Sequence, residues 1–277
     1  MSENNQINTE KVTSVKPKKS SNIISWLAPI GCILVGELIY FYVLGDPAGF
    51  KKPETHEGPL NWMARMYEGG PIVPVLIGLF LMVLVFSIER FLTISAATGK
   101  GNNANFVRKV QILLSEKDLD GALEACDKQK GAVGNVMKAG LIKYGKMISD
   151  TTYTTDQKLA AIQKEVEEAT ALEMPMLQRN LVFLSTITSL SVLIALLGTV
   201  MGMIKSFSAL GEEGGGAGAA KLAAGISEAL YNTATGIAGG AFAMIMYNVF
   251  TTKIDSITHS IDESGFTLTQ SFASLYK

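Results

Sequence analysis

The sequence predicts an all-α membrane protein whose long helices extend beyond the bilayer on one side, and three observations carry that prediction. Four apolar runs are long enough to cross a bilayer, Lys and Arg collect in alternate intervals, and the longest polar interval repeats its apolar residues at helical spacing. The 277-residue chain has 24 Lys+Arg against 25 Asp+Glu, so the distribution of charge is informative and the net charge is not. Its mean hydropathy of +0.26 is high for a soluble protein of this size.

Spanning the hydrocarbon takes about 20 apolar residues at about 1.5 Å each. Runs that satisfy this lie at 23–44, 71–96, 181–210 and 222–252. The last two are the clearest: from Leu181 to Ile204 and from Ala229 to Phe250 no side chain except tyrosine is ionisable. The first is interrupted by Glu37. A basic stretch before an apolar run also fits a cleaved signal peptide, but this run exceeds a usual h-region. It ends in Gly45, Asp46 and Pro47, a turn rather than a small-x-small cleavage site, so we expect an uncleaved span.

Orientation follows from the basic residues. The arm 1–22 carries Lys11, Lys16, Lys18 and Lys19, and the interval 97–180 carries twelve Lys and Arg. Both are expected in the cytoplasm. The intervals 45–70 and 211–221 are poor in positive charge and are expected on the periplasmic side. Four spans then leave both termini in the cytoplasm, including the tail 253–277.

Within 97–180, Phe106, Val110, Leu113 and Leu114, then Leu119, Leu123 and Cys126, read as short amphipathic helices. From Thr155 the series Leu159, Ile162, Val166, Ala169 and Leu172 runs on into the third span with almost no breaker, so one projecting helix is expected, kinked at Pro175. The plainest reading of this block is a solvated helical stalk without chemistry of its own.

Several other chemistries find no support. Cys32 and Cys126 lie in unlike contexts and suggest no disulfide framework. His56 and His259 lack neighbours at metal-ligand spacing and read as solvated loop or tail residues. Dispersed lysines do not make a nucleic-acid surface. The run Gly211 to Gly218 lacks the Gly-Lys-Ser/Thr and the preceding strand of a phosphate cradle, and reads as a flexible loop. In Gly225-Ile226-Ser227-Glu228-Ala229 an alanine replaces the second glycine of a nucleophile elbow. We expect no enzyme activity, no metal and no cofactor.

The last two spans carry polar stripes. At about 100° per residue, Thr188, Ser191, Ala195, Gly198, Thr199, Gly202 and Ser206 share one face of the third span. On the fourth, Glu228, Asn232, Thr235, Gly236, Gly239 and Ala243 align, with Thr233 at the edge and Gly240 available for packing, while Leu230, Ala234, Ile237, Ala241 and Ile245 fall opposite. Such faces meet protein or water rather than lipid. Thr199 and Thr233 are expected at matching depth, roughly 6 to 8 Å to the periplasmic side of the midplane. Glu228 lies nearer the surface and is a functional candidate by default. Periodicity alone leaves two readings open, a wet polar path or plain helix packing.

The residues themselves resemble a known family. Leu196-Leu197-Gly198-Thr199-Val200, followed by Gly202-Met203-Ile204 and Phe207, is similar to the LLGTVxGMIxxF motif of the ExbB/TolQ proton-channel family. Gly225-Ile226-Ser227-Glu228-Ala229-Leu230 with Thr233, Ala234 and Gly236 resembles its GISEALxxTAxG motif. Tyr247-Asn248-Val249-Phe250 is similar to its YNxF ending, and Glu89-Arg90 to its membrane-exit pair. Val192, Ala195 and Phe242 depart from the prolines and glycine common there and should straighten the helices.

The resemblance, over roughly residues 70 to 255, implies a three-span ExbB-like core to which 23–44 is an extra N-terminal span. It further implies a homopentamer around a dimer of a single-span ExbD/TolR-like partner whose membrane aspartate carries the proton, coupled to a TonB-like protein. Thr199 and Thr233 would line the inner cavity near that aspartate, with Glu228 at its periplasmic mouth. Ser191, Thr188, Asn232 and Thr235 would extend the path, and Gly198, Gly202, Gly236, Gly239 and Gly240 would pack the helices. Nothing in this chain's own midplane can hold a proton, so the carrier must come from such a partner. A role in nutrient import, envelope maintenance or surface motility stays open.

Overall fold

The computed structural model describes residues 22–213 and 215–276, and it is helical almost throughout. The basic arm, with Lys11, Lys16, Lys18 and Lys19, lies outside the described residues. Among the described residues four helices are long and apolar enough to cross a membrane, which makes this a multi-pass membrane protein.

The first helix, α1 (Asn22–Ile39), ends in a π-helical turn over Tyr40–Leu44. It lies on α3 (Ile72–Thr98). The crossing is close because Gly36 meets Gly78: a Cβ on Gly36 would sit 2.6 Å from the Pro74 carbonyl oxygen and 2.9 Å from the Gly78 nitrogen. The outer face of α1 exposes Leu27, Ile30, Leu34, Leu38, Phe41 and Tyr42, suited to lipid.

Between these helices the chain makes a small unit. Asp46 caps a 3₁₀ turn at Pro47–Gly49, a two-stranded antiparallel ribbon pairs β1 (Phe50–Lys52) with β2 (Glu57–Pro59), and a short α2 (Trp62–Tyr67) is capped by Asn61. Here the expectation for His56 needs correction. It is not a free loop residue: its ring stacks on Tyr67 at 5.1 Å and meets Phe50 edge-on, and its Nε2 lies 3.1 Å from the Gly45 carbonyl oxygen. His259, by contrast, is exposed on a helix.

At the opposite end of α3, three helices form the polar block: α4 (Asn103–Ser115), α5 (Leu119–Gln129) and α6 (Gly131–Ser149). Val110, Val133, Val136, Met137 and Leu141 are wholly buried in it. Burial pushes the Cys126 thiol up to about 12, helped by Asp127 and opposed by Lys138. The Tyr144 hydroxyl is likewise pushed up to about 12, by burial and then by Tyr276.

The projecting stalk is two helices rather than one. A Thr154–Gln157 capping box starts α7 (Thr155–Gln178), and α8 (Leu181–Glu213) follows after a break at Arg179 and Asn180. Asn180 takes φ +62°, which no helix accommodates, whereas Pro175 lies inside α7 without ending it. Leu172, expected on the apolar face, is 82% exposed, so the buried stripe of α7 is carried by Ile162, Val166 and Leu177.

The glycine-rich loop expected at 211–221 is also corrected. α8 continues to Glu213 and α9 (Gly215–Leu275) begins at Gly215. Ala217, Ala219, Ala220, Ala223 and Ala224 are strong helix formers that offset the interspersed glycines. With 61 residues, α9 is about 90 Å long. Its second half buries Ile254, Ile257, Ile261, Leu268 and Phe272 against the block, so one rod joins the apolar bundle to the polar domain. Neither α8 nor α9 breaks at Val192, Ala195 or Phe242.

Candidate functional site: the α8/α9 seam

Helices α8 and α9 run side by side over their apolar length, and α3 packs against both. Both polar stripes turn inward to this seam. Ser191, Ala195, Gly198, Gly202 and Ser206 are buried on α8, as are Asn232, Gly236, Gly239 and Ala243 on α9. Leu193, Leu197, Val200 and Ile204 of α8 and Leu230, Ile237 and Ile245 of α9 point outward. Small residues allow the approach: a Cβ on Gly240 would meet the Thr188 carbonyl oxygen at 2.8 Å, and one on Gly236 would meet that of Ser191 at 2.7 Å. Gly198 faces Asn232 and Ile72, Gly202 faces Ala229, and Gly239 faces the Ser191 hydroxyl.

The centre of the seam is a pair of hydroxyls. Thr199 Oγ1 and Thr233 Oγ1 are hydrogen-bonded to one another across the two helices. Thr199 also reaches the carbonyl oxygens of Ala195 (3.1 Å) and Ala229 (3.3 Å), and Thr233 reaches that of Ala229 (3.3 Å). Each hydroxyl therefore has several acceptors within one rotation, the property a relay needs. About two turns back along α8, Ser191 Oγ donates to the Gly236 carbonyl at 3.0 Å.

Other stripe hydroxyls stay on their own helices. Thr188 donates to Leu184, Thr235 to Tyr231 and Ser206 to Gly202, all to backbone carbonyls. Asn232 turns toward the α3 side, where its Nδ2 donates to the Gly69 carbonyl at 2.9 Å. Glu228, half-buried, lies one turn further toward the α8/α9 junction, with its Oε1 beside Gly70 and the Lys205 ammonium as its counter-charge. The geometry thus joins Thr199 to Thr233 and Ser191 to α9, and sets Glu228 and Asn232 against the segment that leads into α3.

A second polar centre closes the block end of the bundle. Arg90 is 1% exposed. It donates to both carboxylate oxygens of Glu89 (2.6 and 2.5 Å) and to the carbonyls of Met176 and Leu177 (3.1 and 3.2 Å), the last turn of α7. Asn180 Nδ2 donates to Glu89 Oε2 at 3.2 Å. A guanidinium is suited to this fork of acceptors. The sequence marked Glu89 and Arg90 as a pair but gave no sign of Asn180. The signal for Lys205 is a single lysine that interrupts the end of an apolar run.

This arrangement is a bilayer-embedded seam with a hydroxyl pair at its centre and no ionisable group except tyrosine along the inner lengths of α8 and α9. Comparison with known proteins assigns the lineage. A family model described as the MotA/TolQ/ExbB proton channel family matches residues 128–263, which include both stripes. Over this stretch the chain is similar to the MotA/TolQ/ExbB proton channel family. It is 25% identical over 183 residues to the putative biopolymer transport protein ExbB-like 3 of Synechocystis sp., covering 66% of this chain and 81% of that one. It is 30% identical over 125 residues to the Tol-Pal system protein TolQ of Pseudomonas aeruginosa, covering 45% and 54%. A putative ExbB homolog of Methanothermobacter thermautotrophicus is 28% identical over 160 residues, covering 57% and 56%. The chain thus spans little more than half the length of the last two. What these matches describe are channel and transport components, and the similarity to them lies in a chain with four helices fit to cross a membrane among its described residues.

Proposed function

We propose that this chain is the channel-forming subunit of a homopentamer in the inner membrane that uses proton-motive force, with a single-span ExbD/TolR-like dimer and a TonB-like protein, to energise outer-membrane transport. The observation that carries the proposal is the Thr199–Thr233 hydroxyl pair on facing helices. Hydroxyls can pass a proton, but only an ionisable group can hold one, so a seam lacking such a group calls for a carboxylate from a partner helix. In this reading both termini face the cytoplasm, the ribbon and α2 face the periplasm, and Glu228 marks the periplasmic mouth of the path.

A second reading is a TolQ-like role in envelope maintenance or a related motor. It is favoured by the similarity to a Tol-Pal system protein over 125 residues. A non-conducting scaffold would use the stripes for packing alone.

The test is the native mass of the complex extracted gently from its own membranes, with peptide identification of what co-purifies. A pentamer holding a single-span protein with a membrane aspartate is expected, and the identity of that protein separates the transport role from the envelope role. A dimer or trimer without such a protein would contradict the proposal.

A further inference from the structure

The extra first span and the ribbon segment end on the candidate path. Tyr40, in the π-helical turn, stacks on Tyr67 at 4.6 Å and donates its hydroxyl to the Tyr67 carbonyl at 3.0 Å. With His56 and Phe50 these rings form a small aromatic core. Its exit, Gly69-Gly70, lies directly on α9. A Cβ on Gly69 would stand 2.8 Å from Asn232 Oδ1, and one on Gly70 would stand 2.9 Å from Glu228 Oε1. Gly70 also takes φ +72°. Two glycines in succession bring the backbone against both side chains.

Asn232 is 2% exposed, and although its Nδ2 is bonded to Gly69, its Oδ1 has no partner among the described residues. A buried acceptor left unsatisfied is costly, so the group awaits a donor. Glu228 precedes it by four residues on the same helical face. As a carboxylate it can only accept, and it would set negative charge beside an unsatisfied acceptor. As a carboxylic acid it has one O–H to give.

We propose that Glu228 and Asn232 form a proton-operated latch that holds the ribbon segment over the end of the α8/α9 seam. A proton taken from water onto the Glu228 carboxylate makes an O–H that donates to Asn232 Oδ1. This fixes the amide with Nδ2 aimed at the Gly69 carbonyl, and the lid is held down. Loss of the proton removes that donor and leaves two acceptors one helical turn apart, and the Gly69–Gly70 contact loosens.

Charged and titratable groups face Glu228 from each neighbouring element. Lys205 of α8 and Glu68, just after α2, are the charged groups near it, and Tyr40 faces it from the first span with Glu37 nearby. Glu68 responds in the same sense. Burial first, and then the Glu228 charge, push its carboxyl up against the opposing pull of Arg65. A Glu68 carboxyl that holds its proton more readily acts with the latch toward the closed lid at lower pH.

The latch gives a gate to the proton-path reading, yet it can be read without flux, so the two can fail separately. Hydrogen exchange would follow the amides of Gly69, Gly70, Ile72 and Val73 in the full chain in lipid nanodiscs, corrected for intrinsic rates, at about pH 5 and about pH 8. Wild type should be protected up to about tenfold more at the lower pH, the weight of one hydrogen bond. Glu228→Gln, which offers a permanent N–H, should be protected equally at both. Asn232→Leu should lose protection there at both while the α9 amides stay protected. Protection in wild type that does not change with pH, or a Glu228→Gln profile matching wild type, would overturn the latch.

Discussion

The two ends of the membrane bundle are closed by polar groups of opposite character. At the block end, Arg90 is almost wholly buried and fully engaged, bonded to both oxygens of Glu89 and to two carbonyls at the end of α7. At the junction end, Asn232 is equally buried but only half engaged, with Glu228 beside it facing both Lys205 and Glu68. A satisfied charge network in a low-dielectric setting resists change, while a partly satisfied one has two states close in energy. The difference teaches that the joint between α7 and α8 is built to hold its angle, and the contact over the seam is built to respond.

The strongest way to break this comparison is at Arg90. Arg90→Ala empties the buried guanidinium site and leaves the last carbonyls of α7 without their donor, while half-exposed Glu89 keeps Asn180 and Thr93, and it should destabilise the fold by about 1–3 kcal/mol. Thermal unfolding in nanodiscs would read the loss. A change within error would mean that the clamp does not hold the joint. Gly236→Val comes next: its branched side chain would strike Ala195 and the Ser191 carbonyl, forcing α8 and α9 apart. A loss of roughly 1–3 kcal/mol is expected, as for overpacking in other cores, with correspondingly less assembled complex on native gels.

Smaller effects sharpen the contrast. The raised Glu68 carboxyl means that the closed lid binds this proton more tightly than an open chain does. Its contribution is therefore complete below the ordinary carboxylate range and is lost as pH rises through the raised value. Glu68→Gln should reduce the pH dependence of exchange at Gly69–Val73 while leaving that of the α7/α8 joint unchanged. The smallest effect is chemical: with its thiol pushed up to about 12 and buried, Cys126 should resist maleimide at neutral pH until the block unfolds. Rapid labelling of the folded protein at Cys126 would show that the block opens readily.

Much of this was legible in the sequence, because apolar length and helical period are one-dimensional signals. The four spans and the two stripes follow directly from them, down to the residues that face the seam. What could not be read depends on residues distant in the chain. His56 finds its place only because Tyr67 and Phe50 are brought around it. The break at Asn180 carries no proline or glycine; its side chain bonds Glu89, which lies 91 residues away. The glycine-rich stretch looked like a loop by composition, yet alternating alanines and the Leu210 side chain against Gly218 accommodate it as helix. Asn232 was visible as a stripe residue, but its half-satisfied state depends on Gly69, 163 residues earlier.

The most direct test of the central claim is proton flux through the complex, purified with its co-extracted partner and reconstituted in liposomes under an imposed proton gradient. Thr199→Ala and Thr233→Val each remove one hydroxyl of the central pair without opening a large void, so assembly should be retained and flux should fall to background. Wild-type flux in both variants would contradict a path through this seam and leave its stripes to helix packing.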